Sequence, residues 1–157
     1  MISQQQHDIL LKGINAKRIA KRQGGGGKSL SYLEAWDVKA HLIRIFGFGE
    51  WSWDVLSAEL MFDVDNGGKY NVGYKVIGQL RIHATGATYT EAAVGSATLG
   101  QRGEAHDMAV KTAESDALKR AAINLGDQFG LSLYNNGSVA PVVVKTLVEA
   151  ENPDGSE

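Results

Sequence analysis

The chain has 157 residues, 43% of them apolar and 22% charged, with two prolines, no cysteine and a formal net charge of −2. At this length one compact domain is expected, burying roughly 70% of its unfolded surface. The absence of cysteine excludes a disulfide framework, a thiolate zinc site and a cysteine nucleophile, and it fits a reducing cytosol. No apolar run approaches the roughly 20 residues of a membrane-spanning helix, and no signal-peptide pattern opens the chain. A soluble globular protein with a cytoplasmic location and no membrane partner is therefore expected.

The charge is unevenly spread. Residues 1–50 hold eight Lys/Arg against four Asp/Glu, residues 51–139 seven against ten, and residues 140–157 one against four. The basic excess gathers in Lys12, Lys17, Arg18, Lys21, Arg22 and Lys28, beside a run of four glycines. Polyanion binding depends on local potential rather than on the whole-chain sum. A net negative charge thus leaves nucleic acid open as a partner. A solvated basic face on a terminal helix is the plain alternative.

Ser3 predicts the cap of a short helix running to about Lys12, with Ile9 and Leu10 inward and Gly13 as its stop. Residues 14–30 read as a short extended piece and a loop. A second helix is predicted over Glu34–Phe46, with Ala35, Val38, Leu42 and Ile45 or Phe46 at helical spacing. The period then changes. Trp51, Trp53 and Val55 alternate, and Leu60, Phe62 and Val64 alternate in the opposite parity, which predicts a bulge near residues 56–59 in a long, bent strand. Asn66-Gly67-Gly68 supplies a hairpin turn. In the strand after it, Tyr70, Val72, Tyr74, Val76, Gly78, Leu80, Ile82 and Ala84 share a buried parity, and Lys69, Lys75, Arg81 and His83 share the wet one. Thr85-Gly86-Ala87 turns the chain into a third strand over about Thr88–Gly95.

A long alanine-rich helix is predicted over Gly103–Leu125, with Asp107–Lys111 and Asp116–Arg120 at i,i+4. Its small apolar residues form no single clean stripe, as in helices with neighbours on more than one side. Val139–Val144 reads as a short strand or an interaction segment. Glu149–Glu157 reads as an acidic, disordered tail, so that the domain spans 1–137 and a C-terminal segment 138–157.

Several chemistries are set aside on spacing. Gly24-Gly25-Gly26-Gly27-Lys28-Ser29 fails as a phosphate loop because Arg22 stands where that motif needs its first glycine, and no buried strand leads into it. It fails as a dinucleotide motif because Ser29 follows Gly26 at the third place. Its better use is a backbone that lets Arg22 and Lys28 approach a phosphate chain. The histidines at 7, 41, 83 and 106 have no metal-ligand spacing, and His106-Asp107 reads as a surface pair. No nucleophile–base arrangement is visible, so neither an enzyme nor a cofactor is expected. Lys119-Arg120 near the end of the long helix suits the helix dipole. Trp36, Trp51, Trp53 and Phe46 are assigned to the core in preference to base stacking.

The order of parts carries a resemblance. Arg22-x-Gly-Gly-Gly-Gly, Tyr32-Leu33-Glu34, Phe46-Gly47-Phe48-Gly49-Glu50-Trp51, the hairpin Asn66–Gly73, and Ala113-Glu114-Ser115-Asp116-Ala117-Leu118-Lys119-Arg120-Ala121 with Gly126 and Gly130 resemble the annealing domain of the Rad52/Rad22 family over residues 18–137. The resemblance implies an α+β fold, helix–β–β–β–helix, with a bent antiparallel sheet on a long helix and subunits assembled as a ring. It implies ATP-independent binding and annealing of single-stranded DNA in homologous recombination and double-strand break repair. The family's inner groove falls on Arg22, Lys119 and Arg120. Its outer site falls on Lys69, with Gly100 where its second cation would stand and Arg102 the nearest substitute; Lys28 and Lys111 are further candidate contacts. The implied partners are single-stranded DNA, further copies of the chain in a ring or helical array, and a single-strand-binding protein or exonuclease. The short form is similar to the phage or prophage branch, acting in a bacterial or phage-infected cell. A passive strand-protecting protein and a structural ring without DNA are the competing readings.

Overall fold

The computed structural model describes residues 1–145. The expected acidic tail, Glu149–Glu157, lies outside the described residues. The fold is α+β, and the chain divides into two compact units, one of residues 1–45 with 123 onward, the other Phe46–Ala122.

In the first unit, α1 (Gln4–Leu10) opens with a capping box. Ser3 Oγ accepts from Gln6 N, and Gln6 Oε1 accepts from Ser3 N. The glycine run is not a structureless loop. It turns a two-stranded hairpin, β1 (Ala20–Gln23) paired antiparallel with β2 (Ser29–Tyr32). Gly24 N donates to Lys28 O at 2.7 Å across the turn, and Gly26 and Gly27 take φ of 75°. A β-carbon disfavours that left-handed backbone, so the glycines are what close it. The helix predicted over 34–46 is α2 (Ala35–Phe46), with Val38, Leu42, Ile45 and Phe46 buried.

Buried polar groups fix α2. The Arg18 guanidinium grips Asp37 through Nε (3.2 Å to both oxygens) and Nη2 (2.8 Å), while Nη1 donates to Gln128 O at 2.7 Å. Both side chains are nearly covered. Removing either partner strands the other, at a cost of about 3–5 kcal/mol. Arg18 therefore leaves the basic excess as a structural residue. Beside it, His41 Nε2 pairs with Gln128 Oε1 at 2.8 Å, and Gln128 Nε2 donates to the carbonyls of Lys12 and Gly13. The run Val139–Val144 forms no strand. The Asp127 carboxylate instead accepts from the backbone nitrogens of Val142 and Val143.

The second unit is an antiparallel meander, β3 (Trp51–Asn66), β4 (Lys69–Ile82) and β5 (Ala87–Leu99), followed by α3 (Arg102–Ala122). Gly67 and Gly68 form the predicted two-residue turn, with Asn66 opposite Lys69. Val72, Val76, Leu80 and Ile82 are fully buried, as their parity predicts. β5 runs four residues beyond expectation, since Ser96–Leu99 offers only weak alternation.

β3 departs from expectation in one respect. A bulge at Leu56 lies where the change of parity put it, but a second falls at Met61. Leu60 stands opposite Tyr74, and Phe62 opposite Gly73. Adjacent β4 residues face opposite ways, so Leu60 and Phe62 lie on opposite faces of the sheet rather than on one. The Phe62 ring covers Gly73, and the Trp53 ring covers Gly78; a β-carbon at either glycine would collide with it.

Contrary to the sequence expectation, α3 has a clean buried stripe. Ala105, Ala109, Ala113, Ala117 and Ala121 recur every fourth residue, all fully buried. The stripe rests on β4 and β5. The two backbones come close at Gly95, where a β-carbon would collide with the Ala113 nitrogen and sit 2.6 Å from Ala109 O. The helix must shift to admit even one methyl.

Two outcomes follow. Gly95→Ala should lower stability by about 1–3 kcal/mol, read from the urea midpoint. Gly103→Ala, whose added carbon meets open space in a helical backbone, should leave it unchanged or raise it by about 0.5 kcal/mol. A third outcome concerns pH. Burial, with the Arg18 and Arg44 charges, holds the His41 pKa below its usual 6.5, against the opposing Gln128 hydrogen bond and Asp37 charge. Below pH 6.5 the unfolded chain takes up a proton that the folded chain refuses, so stability should fall as pH falls through that value. Urea midpoints at pH 7.5 and 5.5 should differ more for the unmodified chain than for His41→Gln.

Candidate nucleic-acid interface

The candidate cations fall into three places. Arg22 and Lys28 share the β1–β2 hairpin of the first unit, and both are exposed. The Arg22 guanidinium lies over the Tyr32 ring, 5.4 Å from its centroid, which restricts the side chain without neutralising it. Lys119 and Arg120 occupy the last turn of α3 in the second unit. The other end of that unit holds Lys69, at the start of β4, and Arg102, at the start of α3. The Arg102 guanidinium lies 4.6 Å from the centroid of Tyr70, the residue after Lys69. Tyr70 thus joins the hairpin lysine to Arg102, while Gly100, where the resemblance would put a second cation, has no side chain to offer. At 1.5 Å per residue, Arg102 and Arg120 lie about 27 Å apart along α3, so the second unit presents two separate basic places.

On the second unit the candidate cations other than Lys69 are paired. Lys119 Nζ is 3.2 Å from Asp116, Lys111 Nζ 2.8 Å from Asp107, and Arg102 Nε 3.3 Å from Asp63. The Asp107–Lys111 pair is as predicted. The predicted Asp116–Arg120 pair is not formed as such: Asp116 takes Lys119, and Arg120 Nη2 reaches Glu91 on β5 at 3.4 Å. Among the described residues no ion pair forms at Arg22, Lys28 or Lys69.

His106 does not pair with Asp107. Its Nδ1 is 2.7 Å from the Tyr74 hydroxyl, and its Nε2 is 2.8 Å from Asp63 Oδ2, the same oxygen that Arg102 approaches. The hydrogen bond from His106, helped by the Arg102 charge, holds the Asp63 carboxyl below its ordinary pKa despite the opposing effect of desolvation. This chain of Tyr74, His106, Asp63 and Arg102 braces the basic end of the hairpin. It was hidden in the sequence because 43 residues separate its histidine from its aspartate.

The aromatic assignments divide. Phe46 is buried and Trp51 and Trp53 are half-covered, with Trp53 Nε1 donating to Glu114 at 2.8 Å. Trp36 is not core: its side chain is 65% exposed, and its Nε1 donates to Glu34 Oε2. It sits in the first turn of α2, on the side away from the Val38–Leu42 stripe, where the position predicts exposure if residue type is ignored. Among the described residues no cluster of His, Asp and Glu could hold a metal ion, and no helix is long and apolar enough to cross a membrane.

Three relatives are similar across most of this chain. "DNA repair and recombination protein RAD52" of Saccharomyces cerevisiae is 32% identical over 93% of it, "DNA repair and recombination protein rad22" of Schizosaccharomyces pombe is 31% identical over 80%, and "DNA repair and recombination protein rti1" of the same yeast is 29% identical over 91%. The alignments cover 30%, 27% and 39% of those proteins, so this chain spans roughly a third of the length of the relatives it matches. The model of the Rad52/22 family of double-strand break repair proteins matches residues 2–151. That match takes in the glycine hairpin, the bent meander and the cation-bearing helix together, and the chain belongs to the Rad52/22 family.

Proposed function

We propose that this chain binds single-stranded DNA and anneals complementary strands without ATP, in homologous recombination and double-strand break repair. The observation that carries the reading is the family match over residues 2–151, whose relatives are named as DNA repair and recombination proteins. The cations, exposed except for the half-buried Lys119, supply its chemistry. Arg22, Lys28, Lys119 and Arg120 neutralise phosphates, a contact indifferent to base identity and sensitive to salt. With the backbone held, the bases stay free to sample a second strand. Lys69 and Arg102 form a second basic place suited to that strand, and Lys111 is a further contact. No step calls for a nucleophile, a cofactor or a metal.

Self-assembly into a ring or helical array belongs to the same proposal. β3 pairs only with β4 among the described residues, and Val55, Leu56, Leu60, Met61, Phe62 and Val64 along it are all more than one-third exposed. An apolar strand of this length with one open edge is a surface for another chain. Copies side by side also multiply a weak site, which lets a chain of net charge −2 hold a polyanion. A single-strand-binding protein or a recombination exonuclease would be the natural source of its substrate, in the cytoplasm of a bacterial or phage-infected cell.

Arg22→Ala and Lys119→Ala should each weaken binding to a poly-dT oligonucleotide roughly tenfold at moderate salt and flatten the salt dependence by about 0.7. Circular dichroism and particle mass should not change. Unchanged affinity in the Lys119→Ala chain would remove that residue from the interface. Lys69→Ala and Arg102→Ala should spare first-strand binding and slow annealing of complementary oligonucleotides in EDTA without ATP. A protein that binds but never accelerates pairing would be a passive strand protector. Leu56→Lys, at the exposed bulge, should reduce the mass seen by light scattering toward that of one chain.

A further inference from the structure

The ion pairs of the two units differ in kind. Arg18 and Asp37 make a buried, multiply bonded pair with a carbonyl completing the fork. Arg120 and Glu91 make one contact, Nη2 to Oε2 at 3.4 Å, with the arginine side chain 52% exposed. The first is built to stay closed. The second leaves most of the guanidinium open to solvent and is long for a charge-assisted hydrogen bond. Glu91 comes from β5 and Arg120 from α3, so helical spacing alone does not account for the pair. It sits beside the Lys119–Asp116 pair, so two adjacent candidate phosphate contacts are each matched to a carboxylate in the free protein.

We infer that Glu91 is a built-in phosphate surrogate that sets how tightly the α3 site grips DNA. This rests on the annealing reading above. In the free protein the Glu91 carboxylate contacts one nitrogen of the Arg120 fork. When a strand arrives, a phosphate offers the fork a better, bidentate partner and displaces the carboxylate. Binding is then an exchange of one anion for another. The released Glu91 stays within a Debye length, about 10 Å at 0.1 M salt, of the phosphate that replaced it and repels it. The grip is weakened by design, and a bound strand can shift register or leave as duplex. The ten Asp/Glu against seven Lys/Arg in Phe46–Ala122 fit a unit whose basic site is restrained.

Glu91→Gln keeps the shape of the side chain and removes its charge. It should tighten poly-dT binding about three- to tenfold at 0.1–0.2 M salt and steepen the salt dependence by up to about 0.7, one more uncompensated cation. It should also slow the release of annealed duplex. Glu104→Gln, an exposed carboxylate in the first turn of α3, makes the same change of net charge about 24 Å from Arg120 along the helix. Its effect should be small. In an Arg120→Ala background the Glu91→Gln gain should vanish, and Glu91→Ala should repeat the result with a different side chain. A Glu91→Gln chain that binds no better than Glu104→Gln, that binds more weakly, or that keeps its gain without Arg120 would overturn the inference while leaving annealing intact. An unmodified chain that fails to bind poly-dT at low salt would overturn both.

Discussion

Five alanines spaced one turn apart let the backbone of α3 lie directly on β4 and β5, and at Gly95 the two backbones come close. Much of the second unit follows from that approach. A helix with so narrow a buried edge covers two strands, and it reaches the third through side chains, at Asp63 and Trp53. Among the described residues, β3 is left with apolar side chains on both faces and one edge unpaired. Those residues would be a liability in an isolated monomer. The same helix carries Arg102 at one end and Lys119-Arg120 at the other, outside the alanine seam, where Arg102 and Arg120 reach carboxylates on β3 and β5. Small residues at the interface and charges at the termini are two consequences of one packing decision.

The sequence disclosed most where a periodic signal and a burial signal coincide. β4 was legible because its even positions meet α3 and its odd positions do not. α2 was legible because Val38, Leu42 and Ile45 mark one side of a 3.6-residue repeat. The turn at Gly67-Gly68 was legible because few residues other than glycine tolerate its backbone. Alanine, by contrast, carries so little hydrophobic weight that a perfect i+4 stripe in α3 reads as no stripe. The second bulge at Met61 was invisible for a related reason. Every residue from Leu60 to Val64 except Asp63 is apolar, so no alternation marks which of them changes face.

Of the candidate site, the positions of the cations were legible and, apart from Asp107 for Lys111, their partners were not. The family resemblance singled out Arg22, Lys69, Arg102, Lys119 and Arg120, and the glycine run added Lys28, yet four of the observed contacts cross between elements far apart in sequence. Arg120 finds Glu91, Arg102 finds Asp63, and His106 is taken by Tyr74 and Asp63 rather than by its neighbour Asp107. Local rules favour i,i+4 pairs because they need no tertiary information. A helix packed on a sheet offers carboxylates from the neighbouring strands as well, and at Arg120 the strand supplies the partner. Trp36 shows the converse. Its type says core, but its place on α2 faces away from the apolar stripe, and place prevails.

Arginines of one chemical type thus do three jobs here, separated by burial and by the number of contacts each makes. Arg18 is enclosed and multiply bonded, and it organises α2. Arg22 is exposed and rests on an aromatic ring that offers no negative charge, so its field reaches solvent undiminished. Arg120 is exposed but partly answered by Glu91. Counting basic residues treats the three alike and overstates the charge available to a polyanion. Counting net charge makes the opposite error, because the carboxylates that cancel the sum are not all near the cations that matter. Protein–phosphate contacts gain from counterion release only at cations that are not already neutralised by the protein itself. On the proposed reading, an open cation such as Arg22 is available to a phosphate at once, whereas a loosely answered one such as Arg120 is available only where the phosphate can outcompete a carboxylate for the same fork.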